Sequence, residues 1–398
     1  MSNTQKTKEW SIDEKEYLFL AKSNNVPYVV IARSLNRTAE SCKSMWLRHE
    51  WDKEPFYSSS LKQVRKDRKA AFVDKTADTV EKKLDMFRMR NDIISDKIEQ
   101  SIKKVPLVKI SPYRPKRKSS LKKSEDMAVV LSDLHIGHAH TLEETGGLSE
   151  YGVDIFKRRL KNLQSAVEGI YELHTHLYNI PTLHVMCLGD IVDGMNQAGS
   201  WSPVYIDTPI FDQMFIGVNS MAELLANWLT VFDNIVFYGV RGNHGRIAPS
   251  GAEKDYANWD SMAYETLKLM FKDNDRIKFV VPRTWWIMES IRGKNFLLVH
   301  GDQFRPKGSP AQGLHMFSMS QWGMTGKKPD VTICGHFHES SEMTNNFGKV
   351  VVNGSFVGGD VYSIKNLQKC GRPEQKIFGI NEKHGVSFRY DIDLEAKR

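Results

Sequence analysis

From Met127 onward, short apolar runs recur, and the polar residues at the end of each run restrict the fold more than any other feature of the chain. The runs are MAVVLS, LHVMCLG, IVFYGV, FLLVH, VTICGH and KVVVNGS. They are short and apolar without interruption, as expected of strands in a sheet covered on both faces. Amphipathic stretches near 154–179, 211–232 and 256–273 lie between some of them, so strands and helices alternate as in an α/β domain. At the run exits the sequence turns polar: SDLHIGH offers Asp133 and His135, GDIVDG offers Asp190 and Asp193, GNHG offers Asn243 and His244, VHGD offers His300, and GHFH offers His336 and His338. Folds of this class place their ligand sites at the C-terminal ends of strands. Five such exits, each with a glycine beside the polar residue, point to one shared site.

Taken in order, DxH, GDxxD, GNH, a strand-end His and GHxH, the region from Met127 to about Ser355 resembles the calcineurin-like metallophosphoesterase superfamily. The resemblance implies an α/β fold built as a β-sandwich flanked by helices, with two divalent ions in a cleft at the strand ends and hydrolysis of phosphate esters. It implies Asp133, His135 and His338 on the first ion, Asn243, His300 and His336 on the second, and Asp190 shared between them. Ions about 3.5–4 Å apart clamp the phosphoryl oxygens. Imidazole, carboxylate and amide donors without thiolate suit Mn2+ first, with Fe, Zn2+ or Mg2+ as alternatives. Gly189, Gly242 and Gly335 are expected to let the backbone turn sharply beside the ions.

His244 has no carboxylate next to it, because Gly245 stands where relatives usually carry an acid. In the phosphoprotein-phosphatase branch the second Asp of GDxxD partners this histidine, and that position is Asp193. The expectation is therefore that Asp193 orients His244, which donates a proton to the leaving alkoxide or hydrogen-bonds the attacked phosphate. Gly245 would leave a more open cleft. Arg246 is expected to contact phosphate, with a surface salt bridge as its alternative. A Ser/Thr phosphatase is disfavoured, since Gly194 and Gly245 replace the Arg and Glu of that signature. SbcD-like nucleases and the phosphoesterases of bacteriophage genomes are closer in layout, and GNHGR is most similar to the phage group.

Charge bears on which phosphate is attacked. The formal net charge is +8, yet residues 1–125 carry 29 Lys+Arg against 17 Asp+Glu and the remainder 27 against 31. A basic third on an acidic body suggests a nucleic-acid-binding arm, with solubility alone as the alternative. Within it, Ser11 and Glu14 form a capping box for a first helix whose apolar positions are Trp10, Tyr17, Leu18 and Leu20. Asn24, Asn25 and Pro27 break it, VVIARSL forms a second helix, and Thr38 starts a third through AESCKSMWLRH. The phrase IARSLNRTAESCKSMW resembles a Myb/SANT-like or helix-turn-helix module. That implies a third helix reading the DNA major groove with Lys43 and Arg48, Arg37 near its start, and a core of Trp10, Leu35, Trp46 and Trp51. The same trihelical pattern also serves protein contacts.

Residues 60–104 contain no Gly or Pro and read as a long helix. Val73, Ala77, Val80, Leu84, Phe87, Asn91, Ile94 and Ile98 follow a 4-3 spacing, and a lone Asn91 at an a position would select a homodimer through residues 73–98. A single helix packed on its own chain is the alternative. The expected organisation is a DNA-binding module at 1–55, a helix at 56–105, a basic linker at 106–125 and a metallophosphoesterase domain at 126–398. No run of about 18 apolar residues offers a membrane span. The N-terminal run has no apolar segment and four scattered cysteines form no CxxC, so a reducing cytoplasm is expected, that of a bacterial host if the chain is phage-encoded. The reading that unites these features is a dinuclear-metal phosphodiesterase acting on DNA. A phosphomonoesterase or nucleotide phosphodiesterase and a non-catalytic DNA-binding protein are its rivals.

Overall fold

The structure, a computed structural model, describes residues 9–60, 62, 123–195, 205–248, 254–306 and 308–395. The expected long helix with its 73–98 register, and the linker up to residue 122, lie outside the described residues. The chain divides into two compact units, 1–104 and 105–398.

The first unit contains α1 (Ile12–Ser23), α2 (Tyr28–Leu35) and α3 (Ala39–Arg48). Ser11 caps α1 in a full capping box: its Oγ accepts the Glu14 amide at 3.2 Å, and its own amide donates to the Glu14 carboxylate at 3.0 Å. Asn36 closes α2 in the left-handed region, and Thr38 Oγ1 accepts the Ser41 amide at 3.1 Å to open α3. Leu18, Ile31, Ala32 and Cys42 are buried at the centre, with Trp10, Leu35, Trp46 and Trp51 packed around them. Phe19, not Tyr17, is the aromatic that α1 buries; its ring meets those of Trp46, Trp51, Phe56 and Tyr57, while Tyr17 is exposed.

Arg37 departs from the groove-reading role. Its guanidinium donates to the Glu14 carboxylate at 3.1 and 2.9 Å and to the Glu9 carbonyl at 2.8 Å, and lies 4.1 Å from the Trp10 ring centroid. A nearly buried cation needs such partners, so Arg37 ties the start of α1 to the turn before α3. Lys43 and Arg48 remain exposed on α3.

The second unit is a sandwich of two sheets. In the six-stranded sheet, β2 (Asp126–Leu131), β4 (Thr182–Cys187), β5 (Asn234–Gly239) and β6 (Ile277–Val280) run parallel in that order. Antiparallel β12 (Glu374–Asn381) and β13 (Gly385–Asp393) extend it beyond β2. The five-stranded sheet has the order β10 (Ser341–Asn345), β11 (Gly348–Val352), β9 (Val331–Cys334), β8 (Lys294–Val299) and β7 (Trp286–Ile291), with β11, β9 and β8 parallel. A short parallel pair, β1 (Lys123–Ser124) with β3 (Tyr178–Asn179), stands apart. Ala128, Val130, Met186 and Tyr238 from one sheet meet Phe296, Leu298, Ile333 and Val351 from the other in a common core.

Helices cover the outer faces. α4 (Val153–Thr175), α5 (Ile210–Trp228) and α6 (Trp259–Met270) lie on the side of the six-stranded sheet, while α7 (Pro310–Thr325) packs on β9, β10 and β11. A last short helix, α8 (Val361–Leu367), precedes β12. This is the α/β sandwich flanked by helices that the resemblance implies. Parallel β2, β4 and β5 send their C-terminal ends to one edge, and there the sheets are stitched together: the Phe356 amide donates to the Asp133 carbonyl at 3.0 Å, and His300 Nδ1 lies 2.7 Å from the Leu188 carbonyl. No helix among the described residues is long and apolar enough to cross a membrane.

Candidate metal centre

The strand exits converge. The ligand atoms of Asp133, His135 and His338 lie within 4.8 Å of one another, and so do those of Asp190, His300 and His336. Asn243 Oδ1 joins the second group at 3.0 Å from His300 Nε2. Asp190 faces both groups, with Oδ2 at 3.0 Å from His300 Nε2 and 3.9 Å from His135 Nε2. All seven ligands expected from sequence are therefore in one cleft, and none is stranded elsewhere.

Backbone geometry marks the same residues. Asp133 (φ 56), His135 (φ 43), Asp190 (φ 52), His336 (φ 72) and His338 (φ 53) all occupy the left-handed region. Each such residue costs on the order of 1 kcal/mol, and this strain collects where function over-determines the conformation. The glycines act mainly by allowing close approach. Gly189 does turn at φ 91, but Gly242 and Gly335 have no positive φ; a Cβ there would lie 2.1 Å from Asp190 Oδ1 and 2.4 Å from Asp133 Oδ2 respectively.

The arrangement of lone pairs shows what the cleft is built to hold. His300 Nδ1 can only donate to the Leu188 carbonyl, so in the neutral ring Nε2 carries a lone pair, and it points at two oxygen acceptors, Asp190 Oδ2 and Asn243 Oδ1, each at 3.0 Å. His135 repeats the pattern: Nδ1 is engaged by Asp193 Oδ1 at 2.9 Å, and Nε2 faces His338 Nε2 at 2.9 Å. Convergent donors of this kind suit a cation, and an outer carboxylate or carbonyl on the far ring nitrogen is the usual support of a ligating histidine. The residues fit a pair of divalent ions.

Titration follows from the same charges. Burial pushes the Asp133 carboxyl up, but His338 and His300 outweigh it and hold it below the usual carboxylate range. Asp190 and Asp193 are likewise held well below it, against burial, by their histidines. Conversely, burial lowers His300 and His244, yet Asp190, joined for His244 by Asp193, pushes each up to about 10. His336, buried and beside His300, is lowered to about 3. Without bound ions, protons on His300 and His244 balance the carboxylates.

Asp193 is brought to His244, but not as a simple dyad. His244 Nδ1 lies 3.1 Å from the Asp193 backbone carbonyl and 3.4 Å from its carboxylate, whose nearer partner is His135; a third imidazole, His138, reaches Oδ2 at 3.3 Å. Gly245 does not open the cleft. A Cβ there would stand 2.3 Å from Asn258 Oδ1, so the space is already filled. Arg246 is ion-paired with Asp302 and keeps part of its side chain exposed.

Several supporting residues escape the strand-exit pattern. Asp260, on the first turn of α6, accepts the backbone amides of Asp190 (2.9 Å), Ile191 (3.0 Å) and Gly242 (2.8 Å), fixing the loops after β4 and β5 together. Burial and Asp190 raise its pKa. Asn258 caps the same helix and donates to the Gly242 carbonyl at 2.8 Å. Beneath Asp133, buried Ser132, Asn353 and Gln375 form a closed hydrogen-bond network. The one sequence cue was Asn258 and Asp260, a helix-start signal at the head of an amphipathic stretch.

No family model and no curated protein matches the chain. Among solved structures it is similar to a novel archaeal phosphodiesterase, at 16% identity over 67% of this chain and 98% of that one, with a TM-score of 0.31. It is also similar to Vps29 of Entamoeba histolytica complexed with Zn2+, at 13% identity over 68% and 99% with a TM-score of 0.29. A third is an uncharacterised Streptococcus pneumoniae protein described as a predicted phosphoesterase, at 11% identity over 68% and 98% with a TM-score of 0.25.

Proposed function

We propose that the protein is a two-metal phosphodiesterase acting on DNA. The observation that supports this most directly is Asp190, one buried carboxylate facing two groups of imidazole and carboxylate donors. Asp133, His135 and His338 would hold one divalent ion and Asn243, His300 and His336 the other, with Asp190 between them. Mn2+ is favoured by the donor set. When bound, such ions polarise phosphoryl oxygens and supply a nucleophile at neutral pH.

The chain's own groups do the rest. Asp193 and the Leu188 carbonyl fix the rings of His135 and His300 from behind, so the donor nitrogens are set before substrate arrives. His244, partly exposed, is placed to donate a proton to the leaving alkoxide, and Asp193 holds the opposite nitrogen. The Ser/Thr phosphatase layout is disfavoured sterically as well as by residue type: a Cβ at Gly194 would stand 2.3 Å from the His244 carbonyl, and the space beside Gly245 is filled. Lys43 and Arg48, exposed on α3, and the basic first third favour a nucleic-acid substrate. Residues 73–98 joining two copies would place two sites on one duplex.

The test is a Mn2+-dependent assay of full-length protein on linear, nicked and single-stranded DNA beside bis-nitrophenyl phosphate. Cleavage of DNA and of the diester is expected, lost on chelation and in Asp190→Asn. Turnover of monoesters alone would replace this reading with a phosphomonoesterase, and two bound ions without any turnover would leave a binding protein.

A further inference from the structure

A cavity of about 260 Å³ opens beside the candidate metal centre at Gly242 and, among the described residues, has Arg241, Arg246, Asp255, Trp285, Asp302 and Gln303 in its lining. Its place in the chain ties it to the site. Gly242 and Arg246 flank Asn243 and His244, and Asp302 follows His300 by two residues.

The lining is mixed in sign. Arg246 is neutralised by Asp302. Arg241 is buried, donates to the carbonyls of Thr284 (2.9 Å) and Arg283 (3.0 Å), and keeps an Nε with no partner. No carboxylate pairs directly with Arg241 among the described residues, and Asp255 acts on it from a distance. Two guanidinium groups are thus matched by two carboxylates. A second phosphate would meet both acids and is disfavoured. A neutral planar group fits better: Trp285 offers a partly exposed aromatic surface, and Asp255 and Asp302 are carboxylate acceptors for amino hydrogens, with Gln303 holding Asp302 from one side and the Gly301 amide from the other. Carboxylates accept from base amino groups, and guanidinium groups donate to base carbonyl and ring nitrogens.

We propose that this cavity receives the nucleobase next to the scissile phosphate, and that it favours a base with an exocyclic amino group, adenine, guanine or cytosine, over thymine. The inference rests on the phosphodiesterase reading only for the position of the base relative to the reaction.

Two measurements on the full chain separate the pocket from the reaction. In the first, metal-free protein is titrated calorimetrically with guanosine, cytidine and thymidine. The first two should bind more tightly than thymidine, Trp285→Ala should weaken them by about tenfold, and Trp285→Phe should restore most of the loss. Gln303→Ala, a smaller change, should weaken the same nucleosides if loss of Trp285 disturbs folding. In the second, the Mn2+-loaded protein hydrolyses a nucleoside nitrophenyl phosphodiester and methyl nitrophenyl phosphate. Trp285→Ala should reduce kcat/KM for the first through KM and leave the second unchanged. Nucleosides that do not bind, with base-bearing and base-free esters turned over alike, would overturn the pocket while the phosphodiesterase stands. A preference for an added phosphate regardless of base would overturn it too. Trp285-dependent nucleoside binding without any ester hydrolysis would support the pocket and remove the phosphodiesterase.

Discussion

Asp193 touches three imidazoles, and that sharing changes what its removal should do. Asp193→Asn keeps the backbone carbonyl that His244 Nδ1 meets at 3.1 Å but weakens the acceptor behind His135 Nδ1. The expected defect is therefore in ion binding, roughly 10- to 100-fold in Mn2+ affinity by calorimetric titration. An unchanged affinity with a slowed reaction would return Asp193 to the simple role of orienting His244. His244→Asn should behave oppositely: both ions retained by metal analysis, cleavage slowed by roughly 10²–10⁴, and a smaller loss on a nitrophenyl ester, whose leaving group departs without a proton. Equal losses on both substrates would indicate that His244 positions phosphate rather than protonates. The seven residues proposed to hold the ions are legible in sequence because each lies within a few residues of the end of an apolar run, in motifs that resemble those of a known superfamily. His138 is not, although it lies in SDLHIGH, because one carboxylate serving three rings is a property of the folded loops alone.

Among the elements, α6 has the largest influence on a site to which it contributes no ligand. Asp260 accepts three amides from the loops after β4 and β5. Asp260→Ala would leave those amides buried without an acceptor, at about 1–3 kcal/mol each, and let Asp190 and Asn243 drift apart. Mn2+ stoichiometry should fall from two toward one; two ions held with wild-type affinity would contradict this. Asp260 lies 70 residues from Asp190 in sequence, so no local pattern joins them. The parallel strands are legible because both their faces are buried, as in β2, where every residue is covered. β12 is not, since it opens with Glu374, Gln375 and Lys376; the buried Lys376 ammonium is met by its strand neighbour Glu374 at 3.2 Å and by Asp391 at 2.6 Å, and only the β12–β13 register creates the second pairing. Nor is α7, whose start at Ser309 and Pro310 and stop at Gly326 are clear, but whose apolar residues lie all around the helix.

At the scale of the whole second unit, Asp126 on β2 and Arg292 in the turn between β7 and β8 join the two sheets through paired contacts of 2.9 and 2.8 Å. Burial raises the Asp126 pKa, but His184 and Arg292 outweigh it and leave it lowered. A carboxyl depressed in the folded state stabilises above its unfolded value, near pH 4, and loses that contribution as pH falls through the folded value. Asp126→Asn should cost about 1–3 kcal/mol at pH 7, and the loss should shrink as pH falls below about 4 in denaturant melts; a pH-independent loss would mean that packing, not charge, holds the sheets there. The left-handed ligands set a second limit on this unit. Aspartate and histidine stand at five positions where glycine would rest more easily, so the proposed ion site carries a backbone cost in the metal-free fold. His338→Gly should melt no lower than the parent in chelator and clearly lower with Mn2+ in excess, because only the parent gains from binding both ions. A parent that melts higher in both conditions would show that the imidazole stabilises the fold by itself.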